Sequence, residues 1–416
     1  MKMKFPALAH FPRLHFRFIP TPRGWALTPA LLAAALLAGC GGNGTSGGGA
    51  VNNVQTISVN AGPAGNYVDG AFTSVKICAP GSTSNCQTIS GVLVDTGSSG
   101  LRLLSTAVSL ALPHQNDSAN NPIGECLPFV SFFLWGPVET ADIYLAGEKA
   151  GSAAVQIIGD SSFNAAPSSC TSSGTSQVST LTDLGANGIL GVGVFQHDCG
   201  PGCTVSGSSN PNIYFSCTGT SCTAVAEAEA DQVQNPVGLF AQDNNGVLLK
   251  LPAIGPNGSA MASGTMIFGI GTQSNNALGS ATVFTTDNQG DFTVRYNGQS
   301  YSSSYIDSGS NGDFFLDTSA TGLPTCASPN DSFYCPSSTQ NLTATNVGAN
   351  GTTGTVNFSI ANANDLFNTG NTALNDLGGV NSGSFDWGLA FFFGRNVFTA
   401  INGHNTGKGP GPFWAY

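Results

Sequence analysis

The sequence predicts an all-β protein built as two similar lobes. Three observations carry that expectation. Only 8% of the residues are charged while glycine alone numbers 55, which suits short strands joined by polar turns rather than long solvated helices. Clusters of β-branched and apolar residues of strand length recur between Gly, Pro, Asn and Ser turns. One segment is also echoed. Asp95–Leu104 aligns without a gap on Asp307–Leu316, with identity at Asp95/Asp307, Gly97/Gly309, Ser98/Ser310, Gly100/Gly312 and Leu104/Leu316, and a hydroxyl at both Thr96 and Ser308.

The chain opens on a targeting pattern. Lys2, Lys4, Arg13, Arg17 and Arg23 precede the apolar run Trp25–Leu37, which ends at Leu37-Ala38-Gly39-Cys40. This resembles a bacterial lipoprotein signal, in which the cysteine is acylated and becomes the first residue after cleavage. Residues 1–40 are expected to be the signal, with lipidation at Cys40, and 41–50 a flexible Gly/Ser tether. Gly41, where inner-membrane lipoproteins commonly carry Asp, favours the outer membrane. The expected location is the cell envelope, on either face, with the lipid as the only membrane contact and the chain a monomer.

Those five bases leave 7 Lys+Arg against 23 Asp+Glu beyond residue 40, a balance that argues against a nucleic-acid partner. Of 11 cysteines, setting Cys40 aside leaves ten, an even number that fits disulfides in an oxidising compartment. Sequence neighbours suggest Cys78–Cys86, Cys199–Cys203, Cys217–Cys222 and Cys326–Cys335, leaving Cys126 with Cys170. A metal site at His197, Cys199, Cys203, Cys217 and Cys222 is the rival reading, and its spacing fits no zinc pattern. No metal or cofactor is expected.

Along the mature chain, VQTISVNAG, FTSVKICAP and ISGVLVD read as strands, although 51–70 is equally open to a pro-like segment. Leu103–Leu112 is open between strand and helix. Pro128–Ala146 reads as two strands with a hairpin at Trp135-Gly136-Pro137. Asn187–Gly193 is a glycine-interrupted apolar strand, and Ala224–Gln234 has the best helical composition. The lobes are expected at 51–245 and 246–416. In the second, Gly264–Gly271, Ala281–Phe284 and Phe292–Tyr296 read as strands, Cys326–Asn350 as a loop, and Thr355–Ile360, Leu389–Phe393 and Val397–Ile401 as further apolar runs.

Both halves share one order: an Asp-hydroxyl-Gly-Ser turn, then some ninety residues on, an apolar pair and a glycine. Asp95 leads to Ile189-Leu190-Gly191, and Asp307 to Phe392-Phe393-Gly394. Here the chain resembles the pepsin-like aspartic proteases, in which each lobe supplies one such turn, threaded by a later apolar-apolar-Gly strand. The resemblance is strong at the two turns and loose elsewhere across 51–416. It implies a bilobal double-ψ barrel fold with a cleft between duplicated lobes, and an endopeptidase acting on an extended peptide.

The resemblance makes Asp95 and Asp307 the catalytic pair. Two adjacent carboxyls cannot both ionise, so they hold one proton between them, and one serves as base toward water while the other is acid toward the carbonyl. Thr96, Gly97, Ser98, Ser308, Gly309 and Ser310 are expected to support the pair, the hydroxyls by holding it in place and the glycines by close approach and unusual backbone dihedrals. The family's flap aromatic is expected at Trp135-Gly136. Gly100 and Arg102 depart from the family pattern, and Arg102 is open between a stack on Trp135, an approach to the dyad and a surface position. Asp313 and Asp317 read as loop and surface groups. The alternative to an active enzyme is a catalytically silent scaffold serving as an envelope binding or structural lipoprotein.

Overall fold

The computed structural model describes residues 52–171 and 175–416; the signal, Cys40 and the tether lie outside the described residues. The described chain is all-β, with helices of no more than six residues. Its strands form a large sheet of sixteen strands and a second of seven. No described helix is long and apolar enough to cross a membrane.

Six strands of the large sheet close on themselves. Going round, they are Phe132–Leu145, Glu148–Ile158, Ser99–Leu104, Gly188–Val192, Cys86–Asp95 and Ala71–Cys78, the last pairing back onto the first through Ile77 and Ile143. Closure leaves no free edge within this ring. Alternate side chains fill its interior, among them Val75, Val92, Val94, Leu101, Leu190 and Val155, all fully buried.

The sheet then runs on into the second half of the sequence. Val54–Val59 pairs with Ala262–Phe268, which pairs with Gly246–Lys250, then Asn396–Ala400 and Phe413–Ala415. The described chain thus begins on a strand of this sheet. The seven-stranded sheet holds Phe292–Tyr296, Gln299–Ile306, Asp313–Leu316, Gln340–Val347, Thr353–Ile360, Gly378–Gly379 and Asn381–Trp387.

Three local expectations are overturned, and one left open is resolved. The hairpin at Trp135-Gly136-Pro137 is absent: Phe132–Leu145 is one strand of 14 residues, and the turn lies earlier, where the Phe129 N–H donates to the Phe132 carbonyl at 2.8 Å. Pro137, opposite Gly124, is accommodated inside the strand. Ala224–Gln234 is largely irregular, with one 3-10 turn at Glu229–Asp231, because Gln232 turns its amide to Gly200 and Glu227 carbonyls instead of facing solvent. The loop expected over Cys326–Asn350 contains the strand Gln340–Val347, which exposes Asn341 and Thr343 while burying Ala344 and Asn346. Leu103–Leu112 divides into a strand end and a 3-10 turn at Ser105–Ala107.

All five expected disulfides are formed: Cys78–Cys86, Cys126–Cys170, Cys199–Cys203, Cys217–Cys222 and Cys326–Cys335. The cysteines of the rival metal reading are therefore paired, and no cluster of metal-ligating side chains occurs among the described residues.

Candidate active site

Each Asp turn is built the same way. The strand Cys86–Asp95 delivers Asp95 parallel to Gly188–Val192, with Asp95 opposite Gly191. The chain turns through 96–98 and returns as Ser99–Leu104 on the other side of that same strand, antiparallel to it. In the second half, Gln299–Ile306 runs parallel to Asn381–Trp387, and Asp313–Leu316 returns antiparallel on its far side. Ile306 stands opposite Trp387, which brings Gly388 level with Asp307. The threading glycine is therefore Gly388, and the expectation of Phe392-Phe393-Gly394 is corrected. Leu389–Phe392 is a helical turn beyond the strand, and Gly394 lies past it, against Ala253.

Both threading glycines are required by space. A Cβ on Gly388 would meet the Gly312 carbonyl oxygen at 1.9 Å, and one on Gly191 would meet the Ser99 backbone at 2.7 Å. Gly97 and Gly309 matter for the same reason and not for unusual dihedrals, since neither has positive φ. A Cβ on Gly97 would lie 2.6 Å from Cγ of Asp307, and one on Gly309 would lie 2.7 Å from Oδ1 of Asp95. Each glycine thus backs onto the opposite carboxyl, and the two carboxyls lie together.

The turns clasp one another through hydroxyls. The Ser308 N–H donates to Thr96 Oγ1 at 2.9 Å, and the Thr96 N–H donates to Ser308 Oγ at 3.1 Å. The Ser308 hydroxyl donates to the Val94 carbonyl at 2.8 Å, and the Thr96 hydroxyl to that of Ile306 at 3.4 Å. Thr96 and Ser308 are buried, so these bonds replace ones that water would otherwise make. Within each turn the carboxylate accepts from its own glycine N–H, at 2.7 Å for Gly97 to Asp95 Oδ1 and 2.7 Å for Gly309 to Asp307 Oδ1. Ser98 donates to Asp95 Oδ2 at 2.5 Å, and Ser310 approaches Asp307 Oδ2 at 3.1 Å. Burial, then the charge of Asp307 and a hydrogen bond shared with it, push the Asp95 carboxyl well above the usual range, against the pull of Ser98 and Gly97. The two carboxyls lie within hydrogen-bonding reach of each other.

Other expected residues sit elsewhere. Trp135 is in the core, its Nε1 donating to the Asn164 carbonyl at 2.6 Å and its ring against Phe163 and Phe215. Gly136 lies inside the strand, where a Cβ would meet the Ile157 carbonyl oxygen at 1.8 Å. The pair forms no flap. Arg102 is completely buried and neither stacks on Trp135 nor reaches the dyad. Its guanidinium pairs with Glu125 at 2.6 Å and Asp198 at 3.0 Å, and donates to the Ser99 carbonyl at 2.6 Å. Tyr214 donates to the same Asp198 at 2.8 Å. Burial, then the charge of Glu125, push Asp198 far up. Asp313, expected in a loop, is buried in a strand, and burial pushes it up to about 8. Asp317 caps the short helix Thr318–Thr321.

Tyr67 was not foreseen. It lies in the connection 60–70, its ring edge-on to Phe72 at 5.3 Å. Burial, then Asp95 and Asp307, push its hydroxyl far up, so it stays a neutral donor beside the pair. Two residues on, the Asp69 N–H donates to the Thr372 carbonyl at 2.8 Å and its carboxylate accepts from the Leu374 N–H at 2.7 Å. No sequence motif marks this contact across more than 300 residues.

The fold and the site together define an all-β protein whose two halves of sequence each contribute an Asp-hydroxyl-Gly-Ser turn to one carboxyl pair. Residues 49–416 match the family described as a protein of unknown function (DUF3443), and the chain belongs to that family. No curated protein matches the sequence. Among solved structures, an aspartic proteinase from Irpex lacteus is similar with a TM-score of 0.49 and 16% identity, over 87% of this chain and 96% of that one.

Proposed function

We propose that this chain is a lipid-anchored aspartic endopeptidase in which Asp95 and Asp307 activate water. The observation that carries the proposal is the clasp: two turns 212 residues apart exchange hydroxyl and amide hydrogen bonds and leave their carboxyls side by side. Such a pair holds one proton. The ionised carboxylate takes a proton from water as its oxygen adds to the scissile carbonyl carbon, and the other carboxyl gives its proton to the carbonyl oxygen. The resulting tetrahedral species collapses with C–N cleavage, the departing nitrogen taking up a proton. The halves 51–245 and 246–416 act as the two lobes of a double-ψ, pepsin-like molecule. An extended peptide lies in the cleft between them, its backbone adding as a strand. No cofactor takes part.

The test is cleavage of an unfolded peptide library by the full chain in detergent, from acid to neutral pH. Asp95→Asn and Asp307→Asn should each lower the rate by about a thousandfold or more. Cleavage that survives either change, or none by the parent chain at any pH, ends the proposal. Anchoring is read separately: acyl label should enter the parent chain and not Cys40→Ser.

One observation favours the second reading, a silent peptide-binding scaffold. Tyr67 stands beside the carboxyls on a connection tied by Asp69 to 372–374. On that reading, the parent chain retains peptides on a column at every pH and releases no new amino termini.

A further inference from the structure

Among the side chains that differ between the two threading strands, one bears on the carboxyl pair. Leu93 stands opposite Ile189 in the first half, and Tyr305 stands opposite Asp386 at the matching register in the second. Ile189 packs into an apolar cluster with Phe72, Leu93 and Leu104. Asp386 is buried and aims its carboxylate at the serine of the second turn: Ser310 Oγ lies 2.6 Å from Asp386 Oδ2 but 3.1 Å from Asp307 Oδ2. A serine hydroxyl carries one hydrogen and can donate it to one acceptor at a time. The first turn has no such rival, and Ser98 donates to Asp95 at 2.5 Å.

We infer that Asp386 is a positioning residue of the carboxyl pair, drawing the Ser310 hydroxyl away from Asp307 and leaving the pair with one serine donor where its repeat geometry provides two. The inference rests on the reading of Asp95 and Asp307 as a working dyad. A charged acceptor at the shorter distance outcompetes the longer one, because hydrogen bonds to carboxylates strengthen steeply as they shorten. A dyad with fewer donors on its outer oxygens holds its negative charge less well and releases its protons at higher pH. The effect belongs to Asp386 in its ionised form. Protonation would free Ser310 to turn to Asp307.

The titratable and charged groups on the elements around Asp386 are few. Asp307 lies beyond Ser310, Tyr301 and Tyr305 are on the neighbouring parallel strand, and Asp313 is on the antiparallel one. Arg395 follows the helical turn Leu389–Phe392, donates to the Phe391 carbonyl, and acts electrostatically on Asp313. Asp386 is the one that touches Ser310 in addition to Asp307.

The experiment titrates the full chain labelled at aspartate Cγ, followed by carbon NMR, with the dyad signals assigned through Asp95→Asn and Asp307→Asn. Asp386→Ala should lower the midpoints of the pair by roughly half to one pH unit. Ser310→Ala alone should move them by less than Ser98→Ala does. In the Ser310→Ala background, Asp386→Ala should have no further effect. If Ser310→Ala raises the midpoints as far as Ser98→Ala while Asp386→Ala is silent, Ser310 serves Asp307 and the inference is wrong. If the Asp386→Ala shift persists without Ser310, it is plain charge repulsion and the inference is equally wrong. The acidic limb of kcat/KM on a peptide should follow the same pattern. A parent chain that cleaves nothing refutes the protease reading, while the titrations still decide what Asp386 does.

Discussion

The two turns share one backbone and rest on unlike foundations. Behind the first, Arg102, Glu125, Asp198 and Tyr214 form a buried polar cluster that reaches the turn through the Ser99 carbonyl. Four of the five disulfides also lie in that half of the sequence. Behind the second stands an aromatic stack: Phe315 lies on Phe385 at 5.2 Å, Phe385 by Trp387 at 5.2 Å, and Trp387 by Phe391 at 5.5 Å. Matching hydrogen bonds across the two turns over such different supports show where the shared geometry comes from. It is set by the hydrogen bonds within and between the turns and by threading glycines that leave no room for a side chain. The material behind supplies rigidity and can be exchanged.

That view can be broken most forcefully at Arg102. Arg102→Met strands Glu125 and Asp198 without their cation and should cost about 3–5 kcal/mol in chemical denaturation. Replacing all three by apolar residues of similar volume should recover most of the loss, since a buried ion cluster is often no better than good packing. If the triple variant is as unstable as the single one, the cluster specifies the turn and the comparison fails. Next, removing Cys126 and Cys170 together opens a link across a sequence separation of 44 and should cost about 2–4 kcal/mol, whereas removing Cys326–Cys335, with a separation of 9, should cost less.

A smaller effect is expected at the clasp. Ser308→Ala leaves buried polar partners unmet and should cost about 1–3 kcal/mol, while Ser308→Thr, which keeps the hydroxyl, should cost less, both by thermal unfolding. The smallest is a pH slope. Burial raises Asp313 from 3.8 to about 8, so the folded chain keeps a proton that the unfolded chain gives up near pH 4. That contribution is complete below pH 4 and is lost as pH rises toward 8. Glu139 and Glu227, each raised to about 7, act in the same direction. The midpoint of thermal unfolding should fall by roughly several degrees between pH 4 and pH 8, and Asp313→Asn should flatten that fall.

What could be read in the sequence was whatever is written in contiguous residues. Asp95-Thr96-Gly97-Ser98 and Asp307-Ser308-Gly309-Ser310 each carry their own hydrogen-bond partners within four positions, and the structure brings both together. Gly191 was legible because a single apolar pair precedes it. Near the end of the chain two apolar-glycine junctions compete, Trp387-Gly388 and Phe393-Gly394, and strand pairing alone selects the first. The strand Phe132–Leu145 was hidden because Gly136-Pro137 reads locally as a turn, while its partners on both sides hold it straight. Arg102, Tyr67 and Asp386 were misjudged or missed for one reason: their partners are distant in sequence, and no local pattern records a contact of that kind.

The clasp between Thr96 and Ser308 also bears on when the site comes into being. Neither turn holds its partner's hydrogen bonds until both have been synthesised and brought together. A chain on the ribosome that ends before residue 307, or a fragment cut between the turns, has one lone aspartate and no pair. The carboxyl pair therefore works as a coincidence requirement: hydrolytic capacity, on the proposed reading, is withheld from every copy that lacks either turn.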